Sequence, residues 1–418
     1  MSISEKEKEI LVNQEVELTD YEQTILKSAL KKIDLRILPA IFLLYVASSL
    51  DRGNISAAES DYVLYDLLHR FPRCAMGVFE AGLTPGIVAY LPYWYTKDEV
   101  GQRTAFFFSA LFFSSVIGAP IAGGIVSKQI GSLERYEALF LIEGALTLAI
   151  GILMFFIVKD YPDTATFFTP EEQELVVRRL SASQGLASKV KTSMKQTIAA
   201  FLDWKVYCYS IIGFSVNNVI VVIGYFGPSI FRAMGYTSVQ ATYMGTLPAV
   251  AGTVGALISV FTIKRFKLST LILINMIFST IGFAILGYTK SNGLRLFGMM
   301  LNAIFNSGNF SLLVTWLSVN CGSVAKRMVA VALSSTIYGV AGATTPYLFT
   351  FKYAPKYFLG FSFSVGMLVL GVLCTIVLIV YFNTVNKHRL ANPVDMSHMS
   401  IEEQQELNDS HPNFIYRL

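Results

Sequence analysis

Ten stretches of this 418-residue chain stay apolar long enough to cross a bilayer: about 37–57, 74–95, 104–127, 138–158, 206–228, 240–263, 268–288, 294–316, 328–350 and 358–382. Inside a hydrocarbon core every backbone N–H and C=O must be satisfied within the protein, which leaves only helices and closed barrels. Continuous apolar runs, rather than ten-residue alternating segments, select helices. The expected fold class is an all-α integral membrane protein of about ten helices. The composition agrees, with 53% apolar and 15% charged residues, a balance no soluble domain of this length would carry.

An even number of spans puts both ends on one side. Lys27, Lys31, Lys32 and Arg36 precede the first run, Lys264, Arg265 and Lys267 fill one short loop, Lys326 and Arg327 another, and Lys387, His388 and Arg389 follow the last run. All fall on one side of the count, so that side is read as cytosolic. Arg70, Arg73, Lys352 and Lys356 on the other side make the bias moderate. Met1 to Lys32 is polar and lacks the apolar core of a cleavable leader. The organisation expected is a cytosolic segment 1–36, a first helix bundle 37–158, a cytosolic central loop 159–205, a six-helix second bundle 206–382 and a cytosolic tail 383–418. Within the central loop, Thr169, Pro170 and Glu172 form a capping box with Pro at the first helical position, predicting a helix over Glu171 to Ser181. A faint repeat links the halves: Trp94 is followed by Arg103 and a new apolar run, Trp316 by Arg327 and another.

Charges inside the runs are the candidate functional groups, because an ionisable side chain in a membrane helix is costly without a functional or pairing reason. Arg52 lies roughly 22 Å along the first run and Glu80 roughly 9 Å into the second. If the second run returns through a core of about 30 Å, the two groups meet at one depth. A guanidinium and a carboxyl facing one cavity is the chemistry of an anion and proton pathway. Asp51 adjoins Arg52, either neutralising it until a substrate arrives or forming a simple ion pair. Glu143 is a further buried carboxyl with a structural or secondary proton role. Asn302, Asn306 and Asn309 share one helix face, and Asn217 and Asn218 lie near mid-membrane. Each asparagine cluster is either a substrate contact or interhelical glue. Tyr225, Tyr338 and the tryptophans read as core or interface aromatics.

Other signals are negative. Cys74, Cys208, Cys321 and Cys374 show no CxxC pair and no histidine at metal spacing, so they read as free packed thiols, and no cofactor is expected. Asn54 and Asn309 begin glycosylation sequons inside predicted helices, where they stay unmodified. No phosphate loop, dinucleotide glycine pattern, HExxH or nucleophile elbow is present, which argues against a pump or a membrane enzyme. The formal charge of +4 belongs to the loops and is not a nucleic-acid signal.

Several motifs together carry a resemblance. Lys32 to Arg36 leads to Leu50 to Ile55 with its Asp51, Arg52, Gly53 and Asn54. Gly77 to Gly82 with Glu80 follows, then Pro85 and Gly86, Trp94 and Tyr95, and Gly101 to Arg103. Asp160 to Asp163, Phe168 to Glu172, Thr315 to Ser318 with Lys326 and Arg327, and Ala354 to Tyr357 extend it through the second half. Over roughly residues 30–385 the chain resembles the fungal allantoate permease family, in the anion:cation symporter branch of the major facilitator superfamily. The resemblance implies proton-coupled uptake of a small organic anion by a monomer, for example a ureide, a vitamin carboxylate or a sulfonate, at the plasma membrane. It further implies substrate binding or coupling by Arg52 and proton coupling by Glu80; with the residues read above, the expected site is Arg52, Asn54, Asn217, Asn218, Asn302 and Asn306 for substrate and Glu80 with Asp51 for the proton.

The chain also departs from that family, whose members carry two more spans and a cytosolic gating loop between the motifs of Arg52 and Glu80. Only Ala57 to Arg73 separates them here, without a membrane-length apolar run. Helices two and three of the family are therefore expected to be missing. Two further readings stay open: a truncated, transport-inactive family member, and a non-transporting membrane sensor.

Overall fold

In the computed structural model, the described residues are 19–59, 82–126, 135–158, 161–184, 200–263, 265–322, 324–349, 356–392 and 411–418, with the single positions 131, 133, 198, 394 and 409. Among them the regular structure is helical throughout. Helix α1 spans Asp20–Glu59, α2 Leu83–Tyr90 followed by a 3-10 turn Leu91–Tyr93, α3 Lys97–Val126, α4 Arg135–Ile157 and α5 Pro170–Gln184. The second half holds α6 Trp204–Ala233, α7 Ser238–Met244, α8 Thr246–Thr262, α9 Leu268–Tyr288, α10 Asn292–Val319, α11 Val324–Leu348 and α12 Phe358–Ala391. Seven helices are both long and apolar enough to cross a membrane among the described residues: α1, α3, α4, α6, α9, α11 and α12. α8 is apolar but shorter, and α10 is diluted by its asparagines and serines. The all-helical membrane fold expected from the apolar runs is the fold observed.

Two boundaries differ from the sequence reading. The first helix does not start at the membrane; it begins at Asp20 and runs for 40 residues, because its polar turns have their own apolar stripe. Leu26 and Ala29 are buried there against Leu175, Val176 and Leu180 of α5, a three-to-four-residue spacing that keeps one helix face inward. The run over 240–263 is two helices, α7 and α8, which meet at Gly245. The capping box forms as the motif predicts: the Glu172 N–H donates to Thr169 Oγ1 at 3.3 Å, and the Thr169 N–H to Glu172 Oε2 at 3.0 Å.

Buried apolar side chains collect in two large clusters. One joins α1, the segment from Ile87 to Tyr95 and α3, from Ile33 to Phe108, and reaches across to Val314 of α10. The other joins α6, α7 and α9 through α12, from Val206 to Phe382, and takes in Tyr416. α3 packs along α8 and also touches α10, so these helices connect the two clusters. Within the second half, α9 and α10 approach closely at glycines: a methyl placed on Gly282 would lie 2.6 Å from the Asn302 backbone nitrogen and 2.7 Å from the Gly298 carbonyl oxygen. Without a hydrophobic drive between helices in lipid, such close backbone approach is what holds membrane helices together.

Candidate functional site

Arg52 lies in α1 with its guanidinium turned back along the helix. Nε donates to the Ser48 carbonyl oxygen at 3.3 Å, and Nη2 to the hydroxyls of Ser48 and Ser49 at 3.2 and 3.4 Å. Its charge sits 5.5 Å from the centre of the Tyr45 ring, an attraction between cation and ring face that strengthens away from water. Asp51 points to a different side of the helix, as consecutive helical residues do, and accepts from Thr147 of α4 at 3.2 Å. α1 therefore holds its cation against its own preceding turns and offers a carboxylate toward α4. Glu80 lies outside the described residues, and of Asn54 only the backbone is described, so the expected meeting of Arg52 and Glu80 is not part of this geometry.

From Arg52 a chain of aromatic rings leads to the second half. Tyr45 packs on Phe107 and Phe108 of α3 at 4.5 and 6.1 Å between ring centres, Phe108 meets Phe310 of α10 edge-on at 4.8 Å, and Phe310 meets Tyr338 of α11 at 5.5 Å. Edge-to-face pairs are worth about 0.5–1.5 kcal/mol each beyond their burial. Sequence reasoning identified Tyr338 as an interface aromatic but not Tyr45, Phe108 or Phe310. Only their register on three different helices brings them together, and Phe-rich runs are too common to single out.

The asparagines are used within the second half. Asn217 Nδ2 donates to the Tyr338 carbonyl oxygen at 2.7 Å and Asn218 Nδ2 to Thr345 Oγ1 at 2.9 Å, tying α6 to α11. Asn302 Nδ2 donates to the carbonyl and hydroxyl oxygens of Ser279 at 2.9 and 2.8 Å, tying α10 to α9. Asn306 donates to the Val216 carbonyl oxygen at 3.1 Å and accepts from Ser279 at 3.3 Å. These four are placed as bridges between helices. Asn309, one turn further, is fully buried, and its amide atoms have no hydrogen-bond partner among the described residues. Glu143 is buried in α4.

Ion pairs gather at the lysine-rich end of both halves. In the first, Arg103 Nη2 lies 3.2 Å from Asp34 Oδ2, and Asp34 also accepts from the Tyr95 hydroxyl at 2.8 Å. Arg179 of α5 reaches Glu99 at 2.8 Å, and Lys32 reaches Glu172 of α5 at 2.7 Å. In the second half Asp203, just ahead of α6, holds Lys326 at 2.6 Å. The faint repeat thus has a geometric parallel: a carboxylate, Asp34 within α1 and Asp203 just ahead of α6, faces a cation that follows the tryptophan. The cation facing Asp203 is Lys326, the neighbour of the Arg327 that the Trp-to-Arg spacing singles out. Helical phase decides which of two neighbouring cations turns inward, and a one-residue offset is invisible to a spacing match.

Known proteins give the context. The Major Facilitator Superfamily profile matches residues 70–346. The high-affinity nicotinic acid transporter of Saccharomyces cerevisiae is 26% identical in an alignment of 454 residues, covering 93% of this chain and 84% of the relative. An uncharacterized transporter of Schizosaccharomyces pombe is 26% identical over 422 residues, covering 86% of this chain and 83% of that one. Among solved structures, the proton:xylose symporter XylE superposes with a TM-score of 0.58 at 17% identity, over 84% of this chain and 82% of that one, a likeness of fold.

Proposed function

The chain belongs to the Major Facilitator Superfamily and is a secondary transporter, not an enzyme; within that class we propose that its substrate is a small organic anion carried into the cell together with protons. The observation that carries this reading is Arg52, a guanidinium in the apolar part of α1 held by hydroxyls and a backbone carbonyl that an incoming carboxylate can replace. A carboxylate matches the planar fork with two parallel charge-assisted bonds. The nicotinic acid transporter among the relatives supports the anion class. Glu80 takes the coupled proton on this reading, since reversible proton loading needs a carboxyl that can act as both acid and base. On this reading the two halves rock about a midplane site, with both termini cytosolic in the plasma membrane.

The test is uptake of radiolabelled nicotinate, as a probe carboxylate, in a yeast strain lacking its own permeases, with surface expression measured alongside. Arg52→Lys should fail nearly as badly as Arg52→Ala, because an ammonium lacks the bidentate fork. Near-normal affinity in Arg52→Lys would reduce Arg52 to a structural cation.

A second reading has its own support: the family activity is proton-coupled transport, but this chain lacks two spans and does not complete the cycle. The exposed face of α11 carries Ala332, Thr336, Gly339 and Ala343, small residues of the kind that let membrane helices meet, and a methyl on Gly339 would meet nothing within 4 Å. The most apolar stretch of α4 is only 11% buried, against 28% for that of α12. The alignment with the nicotinic acid transporter also spans 454 positions but covers only 93% of this chain, which leaves about 65 positions of the relative without a counterpart here, a number that would hold two spans of about 20 residues. Amplifying the transcript across codons 57–73 distinguishes a true deletion from a longer product. Proton-dependent uptake by the 418-residue chain at ordinary surface levels would refute inactivity.

A further inference from the structure

The last residues of the chain are built into the lysine-rich end of the second half. Asp409 sits between Lys205 Nζ at 2.8 Å and Lys326 Nζ at 2.5 Å, and Asp203 touches both lysines at 3.3 and 2.6 Å. Two cations and two carboxylates thus form a closed square whose side chains are between 2% and 13% exposed. Beyond it, two asparagines read consecutive peptide units of the tail. Asn386 accepts the Tyr416 N–H at 2.9 Å and donates to its carbonyl oxygen at 2.8 Å. Asn320 accepts the Arg417 N–H at 2.8 Å and donates to its carbonyl oxygen at 3.0 Å, beside the Trp316 indole N–H at 2.9 Å. The Tyr416 ring stacks on Phe382 at 4.4 Å, and Arg389 donates to the carbonyl oxygens of Phe414 and Asp409.

These contacts reach the start of α6, the end of α10, the start of α11 and the end of α12. Without the tail, Lys205 and Lys326 would both lose Asp409, and the Trp316 N–H would lose its partner. Leaving a buried charge or donor uncompensated costs far more than making the bond gains. We propose that residues 409–418 are a clamp that fastens the ends of α6, α10, α11 and α12 into one block and seals the cleft between them. The first half has a counterpart in α5, which brings Arg179 and Glu172 to Glu99 and Lys32. Both halves are thus tied at the same end by a segment outside the membrane, so each can move as a unit when the two rock.

Cys321 is a native reporter, because it lines the same small cleft as Asp203, Lys326 and Asn320, and burial pushes its thiol up to about 12. The test is the rate at which Cys321 reacts with a maleimide in detergent-solubilised protein, with Cys74, Cys208 and Cys374 replaced by serine. Removing residues 409–418 should speed labelling about ten-fold or more, by opening the cleft and raising the thiolate fraction. Asp409→Lys, which alters no helix and puts a third cation in the square, should do the same in the full-length chain if the truncated one folds poorly. Labelling rates unchanged by Asp409→Lys would overturn the clamp, since the tail would then not cover Cys321 through this ion square.

Discussion

The crossing of α9 and α10 allows a prediction with worked magnitudes. In Gly282→Ala the new methyl would stand 2.6 Å from the Asn302 nitrogen, 2.7 Å from the Gly298 carbonyl oxygen and 3.2 Å from the Asn302 Cα. All three are backbone atoms, so no side chain can swing away, and the helices must separate by several tenths of an ångström. Overpacking of this kind costs about 1–3 kcal/mol. Separation also stretches the bonds from Asn302 to Ser279, now 2.8 and 2.9 Å, each worth about 1 kcal/mol. Against this stands a gain of about 1 kcal/mol from replacing glycine inside a helix. The net expectation is a loss of about 2 kcal/mol. Gly339→Ala on α11 is the control, since its methyl meets nothing within 4 Å and only the helix gain remains. The assay is thermal unfolding of detergent-solubilised protein followed by size-exclusion fluorescence. Equal midpoints for the two variants would refute the close crossing at Gly282.

Lys326→Met leaves Asp203 and Asp409 facing a single lysine in a buried place, and stability should fall by about 3–5 kcal/mol in the same assay; a fall no larger than for Lys27→Met would contradict the buried square. Burial alone would raise the Asp409 carboxyl, but Lys205 and Lys326 hold it below its ordinary 3.8, so its charge favours docking at every pH above that value and ceases to as pH falls through the lower native one. With Lys205, Lys326, Arg389, Asp203 and Tyr416 as its charged and titratable neighbours, the tail should stay docked between about pH 5 and 8 and loosen only below about pH 4. A bimane dye at position 418, quenched by Trp316 while the tail is docked, would report this, and release between pH 5 and 7 would show that a different group governs docking. Thr169→Ala removes one half of the capping box and should destabilise the start of α5 by about 1 kcal/mol, seen as faster proteolysis within 170–184; unchanged cleavage would mean the Lys32 and Glu172 pair alone holds that helix.

Apolar length is a property of one dimension, and so the membrane helices could be read from the chain without knowing their neighbours. The capping box at Thr169 and Glu172 was legible for the same reason, since both partners lie within one turn. Arg52 was legible as an expensive charge in an apolar run. The row of rings that leads from it was not, because Tyr45, Phe108, Phe310 and Tyr338 come from four helices whose rotation about their axes is set only when they pack. The asparagines were visible as a polar face, yet whether such a face meets a ligand or another helix depends on what lies opposite. Here Ser279, Val216, Tyr338 and Thr345 lie opposite, and four of the amides are spent on them. The tail was the least legible part. Its polar sequence looks like any solvated terminus, and its binding relies on backbone atoms and on a charge square assembled from positions 203, 205, 326 and 409. Charges so far apart along the chain acquire a common meaning only when the fold closes the distance and removes the water between them.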